Sequence, residues 1–191
     1  MLIRLFSATL LICAASACTY NVQPVVPSLP PPSSNTGLID CKAVLLIPEE
    51  FLSREYVSSF EGREVRIRVG PPAAQAVEAI ARSRYSKVEA VMAAGDGTLT
   101  FIRLATVPAG TSQLVMRPRF VRLESSVVPF RYNIEVGLAV DIAGIATPVT
   151  PSGAGVGTAG LYTQSEIQKA ADEALAGAIF SLATSFPQSC K

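Results

Sequence analysis

The sequence predicts an α+β domain: a mixed, largely antiparallel sheet with helices packed on one face. Three observations carry this prediction. Residues 130–142 alternate without a break, with Phe130, Tyr132, Ile134, Val136, Leu138, Val140 and Ile142 on one face. Arg131, Asn133, Glu135, Gly137, Ala139 and Asp141 take the other, the pattern of a long strand with one face on a core and one wet. Thr163 with Glu166 three positions later forms a capping box. Ile167, Ala171, Ala174, Leu175, Ala178 and Leu182 then trace one helical face to about residue 184. Finally, Gly70-Pro71-Pro72 ends one strand pattern and opens a helix, since proline is tolerated in a first helical turn.

The elements follow in order. Residues 42–48 (KAVLLIP) are a continuous apolar run closed by proline, which suits a strand buried on both faces. Residues 49–62 are polar and irregular, with room for a helical turn. In 64–69, Val65, Ile67 and Val69 oppose Glu64, Arg66 and Arg68, a half-buried strand. Ala73, Ala76, Val77, Ile80 and Ala81 recur at helical spacing across 73–85, and 87–92 (KVEAVM) reads as a further strand. Gly95-Asp96-Gly97 signals a turn. Three strand-like runs come next, at 98–107, 112–124 and 130–142. The small residues on the last helix imply close approach to a sheet or to a neighbouring subunit, and Pro187 prevents that helix from continuing.

Composition excludes several functions. The 191 residues are 49% hydrophobic and 16% charged, with mean hydropathy +0.38, too apolar for a disordered chain. No run of 18 apolar residues follows residue 20, which excludes a multi-span membrane protein. The formal charge of +1 argues against nucleic acid as a main partner. Histidine is absent, so a Ser-His-Asp triad, a Cys-His dyad and a His-ligated zinc site are all ruled out.

Residues 1–17 read as a secretory signal. Arg4 supplies the positive region, residues 5–14 the short apolar core, and Ala15, Ser16 and Ala17 the small residues at its end. Cys18 follows at once. This ending resembles the lipobox of bacterial lipoproteins, with Ala15 where that box usually has leucine. The resemblance implies cleavage before Cys18 and acylation of its thiol, and often of its amine; two or three acyl chains hold a protein on a membrane essentially permanently. Thr19 stands where inner-membrane retention commonly uses aspartate, which implies the periplasmic face of the outer membrane. The alternative is plain cleavage, with Cys18 a small apolar residue. An uncleaved anchor is disfavoured, because residues 5–17 are short of the roughly 20 that a bilayer needs.

Residues 18–37 then read as a lipid-anchored Pro/Ser-rich tether, with five prolines between positions 24 and 32 favouring an extended spacer. The expected single periplasmic domain spans residues 38–191. Setting aside Cys13 in the signal and Cys18 at the lipid site leaves Cys41 and Cys190. In an oxidising periplasm these two most simply form a disulfide.

Candidate chemistry is sparse. Gly155-Val156-Gly157-Thr158-Ala159-Gly160 matches G-x-G-x-x-G, but it lies in a Gly/Pro/Thr-rich connection and lacks the strand–turn–helix context of a dinucleotide site; it reads as a flexible or closely packed glycine turn. Seven of the 12 arginines fall in strand-like segments. Arg117 and Arg119 share a parity; with Arg66 and Arg68 they would form an anionic-ligand face if their strands were neighbours, and otherwise a solvated face partly neutralised by Glu64, Glu124 and Glu135. Nothing pairs Asp96, Glu124, Glu135 and Asp141 for acid–base work, and Asp141 reads as a surface residue. No cofactor or metal is implied.

The overall layout is similar to that of small outer-membrane lipoproteins that assist envelope assembly or export, among them those of lipopolysaccharide transport and of the Pel polysaccharide system. This implies a non-catalytic accessory or structural subunit, with the membrane and an envelope complex or further copies of the chain as partners. The alternative is a periplasmic lipid- or glycan-binding lipoprotein that serves a transporter.

Overall fold

The computed structural model describes residues 19–26, 28–29, 37–60, 62–106, 113–129, 131–144, 148–187 and 189. These described residues form twelve elements: β1 (Thr19–Val22), β2 (Ile39–Pro48), α1 (Glu49–Leu52), β3 (Glu55–Phe60), β4 (Arg63–Arg68), α2 (Gly70–Arg84), β5 (Tyr85–Ala93), α3 (Thr98–Ala105), β6 (Gln113–Val128), β7 (Arg131–Ala143), β8 (Ser152–Ala159) and α4 (Gln164–Ser185). They build two mixed sheets, a five-stranded one ordered β5-β2-β6-β7-β8 and a three-stranded one ordered β1-β4-β3. The class is α+β.

β2 runs parallel to both β5 and β6, so it is central and buried on both faces. Its Ala43, Leu45 and Ile47 enter the main core, while Val44 and Leu46 join Val115 in a smaller cluster on the other face. The two expected helices, α2 and α4, share the main-core face through Ala73, Val77 and Ile80 and through Leu175, Ile179 and Leu182. Each such large aliphatic side chain contributes at most about 1.5–3 kcal/mol when buried.

Five segments depart from the sequence expectation. Residues 98–105 are α3, not a strand. Because β5 and β6 both run parallel to β2, the chain must cross back over the sheet between them, and a helix does this. Gly95 and Gly97, both at positive φ, make the turn; the Asp96 carboxylate accepts from the Thr98 backbone N–H at 2.9 Å. Phe101 and Leu104 of α3 then cover Val44, Leu46 and Val115. In the region read as irregular, β3 pairs antiparallel with β4. In β7 the wet face is only partly wet, since Gly137 and Ala139 are buried beside the bulge between Phe120 and Arg122.

The glycine-rich motif is the edge strand β8 rather than a turn. Gly153, Gly155 and Gly157 face α4, and a Cβ on them would lie 2.1 Å from the carbonyl oxygen of Ala178, 2.2 Å from that of Ala174 and 1.8 Å from that of Ala170. Two strand residues rise about 6.8 Å and four helical residues about 6.0 Å, so the i,i+2 glycines stay in step with the i,i+4 alanines. The small-residue stripe of α4 is therefore used inside the chain, against β8. Thr163 caps the helix as expected, its Oγ1 accepting from the Glu166 N–H at 3.3 Å.

The tether expectation for residues 18–37 is corrected over its first part. Thr19–Val22 is β1, parallel to β4, with Val22 1% exposed. The next residues are fastened along α4. Gln164 Nε2 donates to the Asn21 carbonyl at 3.1 Å, Gln168 Nε2 to the Gln23 carbonyl at 2.8 Å, and the Val25 N–H donates to Asp172 Oδ1 at 2.9 Å. The physical reason is the T-Y-N-V alternation, which offers Val22 to the core while the backbone completes the edge of β4. The Pro/Ser-rich segment thus has both flanks fixed on the domain, at α4 and at β2.

Candidate functional site

β6 is longer than β2: their ladder stops at Leu45↔Met116, β2 ends three residues later at Pro48, and β6 runs on to Val128. A cleft of about 180 Å³ occupies this notch at the carboxyl ends of the parallel strands, the usual place for a ligand in such sheets. It is lined by Pro48, Glu50, Phe51, Arg54, Asp96, Pro118, Arg119 and Phe120. Phe51 stacks on Phe120, with ring centroids 4.6 Å apart, and makes its apolar wall.

Beside the cleft lies the most connected polar cluster among the described residues. Arg117 and Arg119 do share a face, as their parity predicts, and both bind Asp141. Arg117 Nη2 donates to Asp141 Oδ2 at 2.8 Å and Arg119 Nε to Asp141 Oδ1 at 3.2 Å. Thr150 Oγ1 also reaches Asp141 Oδ1, at 3.4 Å. On its other side the Arg117 guanidinium donates to Thr98 Oγ1 and lies 5.3 Å from the centre of the Phe101 ring. Thr98 in turn donates to Asp96, so one chain of polar contacts ties α3 to β6 and β7.

Asp141 is not a surface residue: its side chain is 17% exposed and that of Arg117 is 16% exposed. Burial pushes the Asp141 carboxyl up, but the hydrogen bonds and charges of Arg117 and Arg119 outweigh it and hold the group below the ordinary value of 3.8. The Asp96 carboxyl is also lowered, first by the hydrogen bond from the Thr98 hydroxyl and then by that from its backbone N–H. Asp141 offsets one of the two guanidinium charges, so the group as a whole stays cationic, with Arg119 the more exposed of the pair. Arg54 and Arg119 supply the cationic side of the cleft, and Glu50 and Asp96 balance it.

The linkage has a definite sign. A depressed carboxylate stabilises the fold fully above its unfolded value near 3.8, and that contribution is lost as pH falls through the lower folded value. Asp141→Asn is expected to cost about 2 kcal/mol at pH 7, discounted from a fully buried pair for the remaining exposure. Urea titrations at pH 7 and at pH 2 should show the gap between parent and variant narrowing in acid; an equal gap at both would refute the assignment.

The proposed four-arginine face is not formed. Arg66 and Arg68 lie on β4 in the smaller sheet, where Arg66 pairs with Glu64 and Glu55, and Arg68 Nε lies 3.7 Å from Glu55. Their strands are not neighbours of β6, so the two arginine pairs serve separate carboxylates. Cys18 and Cys190 fall outside the described residues. Cys41 lies in β2, 4% exposed.

Sequence reasoning missed Thr98, which was read into a strand, and the role of Asp141. The signal for Asp141 was present: folding the chain about residues 129–130 sets position 141 opposite 118, and the bulge between Phe120 and Arg122 moves the register to Arg117↔Asp141. No protein family, curated protein or solved structure matches this chain.

Proposed function

We propose that this chain is a non-catalytic lipoprotein of the outer membrane. Lipid on Cys18 holds it on the periplasmic face, and it serves as an accessory or structural subunit of an envelope assembly or export complex. The observation that carries the reading is the Ala15-Ser16-Ala17-Cys18 ending of a short signal, directly before the first strand of a folded domain. The geometry of the notch supports a role without catalysis. Its most buried charges, Arg117 and Asp141, are paired with each other at 2.8 Å. Farther along the sheet Arg122 is similarly spent on Glu135, at 2.8 Å.

Two measurements test this. Cys18→Ala is expected to move the protein from the membrane fraction to the soluble periplasmic fraction; unchanged partitioning would remove lipid as the anchor. Mild crosslinking in intact cells, followed by purification from detergent and mass spectrometry, is expected to recover an outer-membrane or export component, or a ladder of copies of the chain. Recovery of monomer with bound lipid or glycan would overturn the accessory reading in favour of ligand carriage.

A further inference from the structure

Several elements end at one pole of the molecule. β1 starts there, since Thr19 pairs with Glu64 next to the β3–β4 turn, where Gly62 has φ +75°. β3 runs toward the same end along the large sheet: Tyr56 Oη and Ser125 Oγ are 2.9 Å apart, and two residues farther on Ser58 Oγ and Tyr132 Oη are 2.7 Å apart. Tyr132 pairs with Val127 beside the β6–β7 turn. The approach to α4 closes the pole, with the Tyr162 hydroxyl donating to the carbonyls of Val128 and Arg131.

This pole has a consistent surface. Val127, Val128 and Leu161 are exposed at 49%, 40% and 66%. Arg63 and Arg131 are exposed at the first positions after the two turns, and Arg63 donates to the Tyr20 hydroxyl at 2.5 Å with its guanidinium over the Tyr20 ring. Cys18 is the residue before Thr19, and one residue spans at most about 3.6 Å. β1 therefore leaves no length for a spacer between an acyl chain on Cys18 and this surface.

We propose that this pole seats directly on the bilayer, resting on the reading that Cys18 is acylated. Val127, Val128 and Leu161 enter the interfacial layer, and Arg63 and Arg131 meet the phosphates of anionic phospholipid. The lipid and the aliphatic side chains then fix the orientation of the domain, with the notch and its polar cluster turned away from the membrane.

The chain contains no tryptophan, so single-tryptophan variants report one position each. The full acylated chain carrying Val128→Trp, Leu161→Trp or Leu99→Trp would be reconstituted into vesicles of phosphatidylcholine and phosphatidylglycerol with brominated acyl chains. Leu99 on α3 is 78% exposed and lies near Arg117, about 36 Å along β6 from Val128, and serves as the distant reporter. All three sites are exposed, and a urea midpoint equal to the parent's checks each fold. Emission at 128 and at 161 is expected to shift to the blue and be lost to bromine, while emission at 99 is unchanged. Vesicle-bound protein quenched equally at all three positions, or at none, would overturn the seating and leave the lipid anchor standing. Protein that fails to float with the vesicles would overturn the anchor, and the seating with it.

Discussion

Gly157→Ala is expected to lower stability by about 3 kcal/mol, read as a fall in the urea midpoint at unchanged slope. The cause is backbone against backbone. A Cβ at this position would sit 1.8 Å from the Ala170 carbonyl oxygen and 2.6 Å from its carbon, and no rotamer change can relieve that. Either α4 moves off β8, losing the packing of Ile167, Ala171 and Ala174, or the edge strand peels from β7. Gly160 provides the control. It follows β8 directly, nothing lies within 4 Å of its added Cβ, and Gly160→Ala is expected to change stability by less than about 0.5 kcal/mol. Equal midpoints for the two variants would mean that α4 does not lie on β8 in this register.

Loss of the proposed Cys41–Cys190 disulfide is expected to cost still more, about 5 kcal/mol for a loop of roughly 150 residues in the chain-entropy account. Support for the pairing comes from where the described chain leads. Cys41 is not a free thiol. Two residues before it, Ile39 pairs with Tyr85, whose hydroxyl donates to the Pro187 carbonyl at 3.4 Å. Phe186 is 2% exposed, and burial pushes the Tyr85 phenol up to about 12. The segment that follows α4 is thus brought to the start of β2. Cys41→Ala, Cys190→Ala and the double variant should all lose about the same stability, because one bond is removed in each. Peptide mapping without reductant should find the two residues joined, and alkylatable thiols at both positions would refute the bond.

The strands and helices that the sequence made legible are those in which one period dominates. In β7 six apolar residues from Tyr132 to Ile142 alternate with polar or small ones, and in α4 the cap and the apolar stripe agree. What escaped was decided by tertiary structure. The TLTFIRLA segment of α3 is rich in β-branched and aromatic residues, which suit a strand, yet a crossover between two parallel strands had to be made there. In β8 the glycines oppose strand propensity, and they stay because only a surface without side chains admits α4 so closely. β1 and β3 are short, four and six residues, so their alternation is too brief to stand out. At the candidate site the shared parity of Arg117 and Arg119 was visible, whereas the carboxylate between them depends on a bulge. The split between the two arginine pairs depends on sheet order, which no local pattern encodes.

The direction of β1 has a mechanical consequence. β1 runs away from Cys18 and parallel to β4, so a pull applied at Cys18 acts along the strand axis. Its ladder contacts with β4 are then loaded together in shear, and the clasps from Gln164, Gln168 and Asp172 of α4 share the load. A hairpin pulled open from its end would instead give way one contact at a time. Tension applied at Cys18 would therefore be resisted by β1 as a whole.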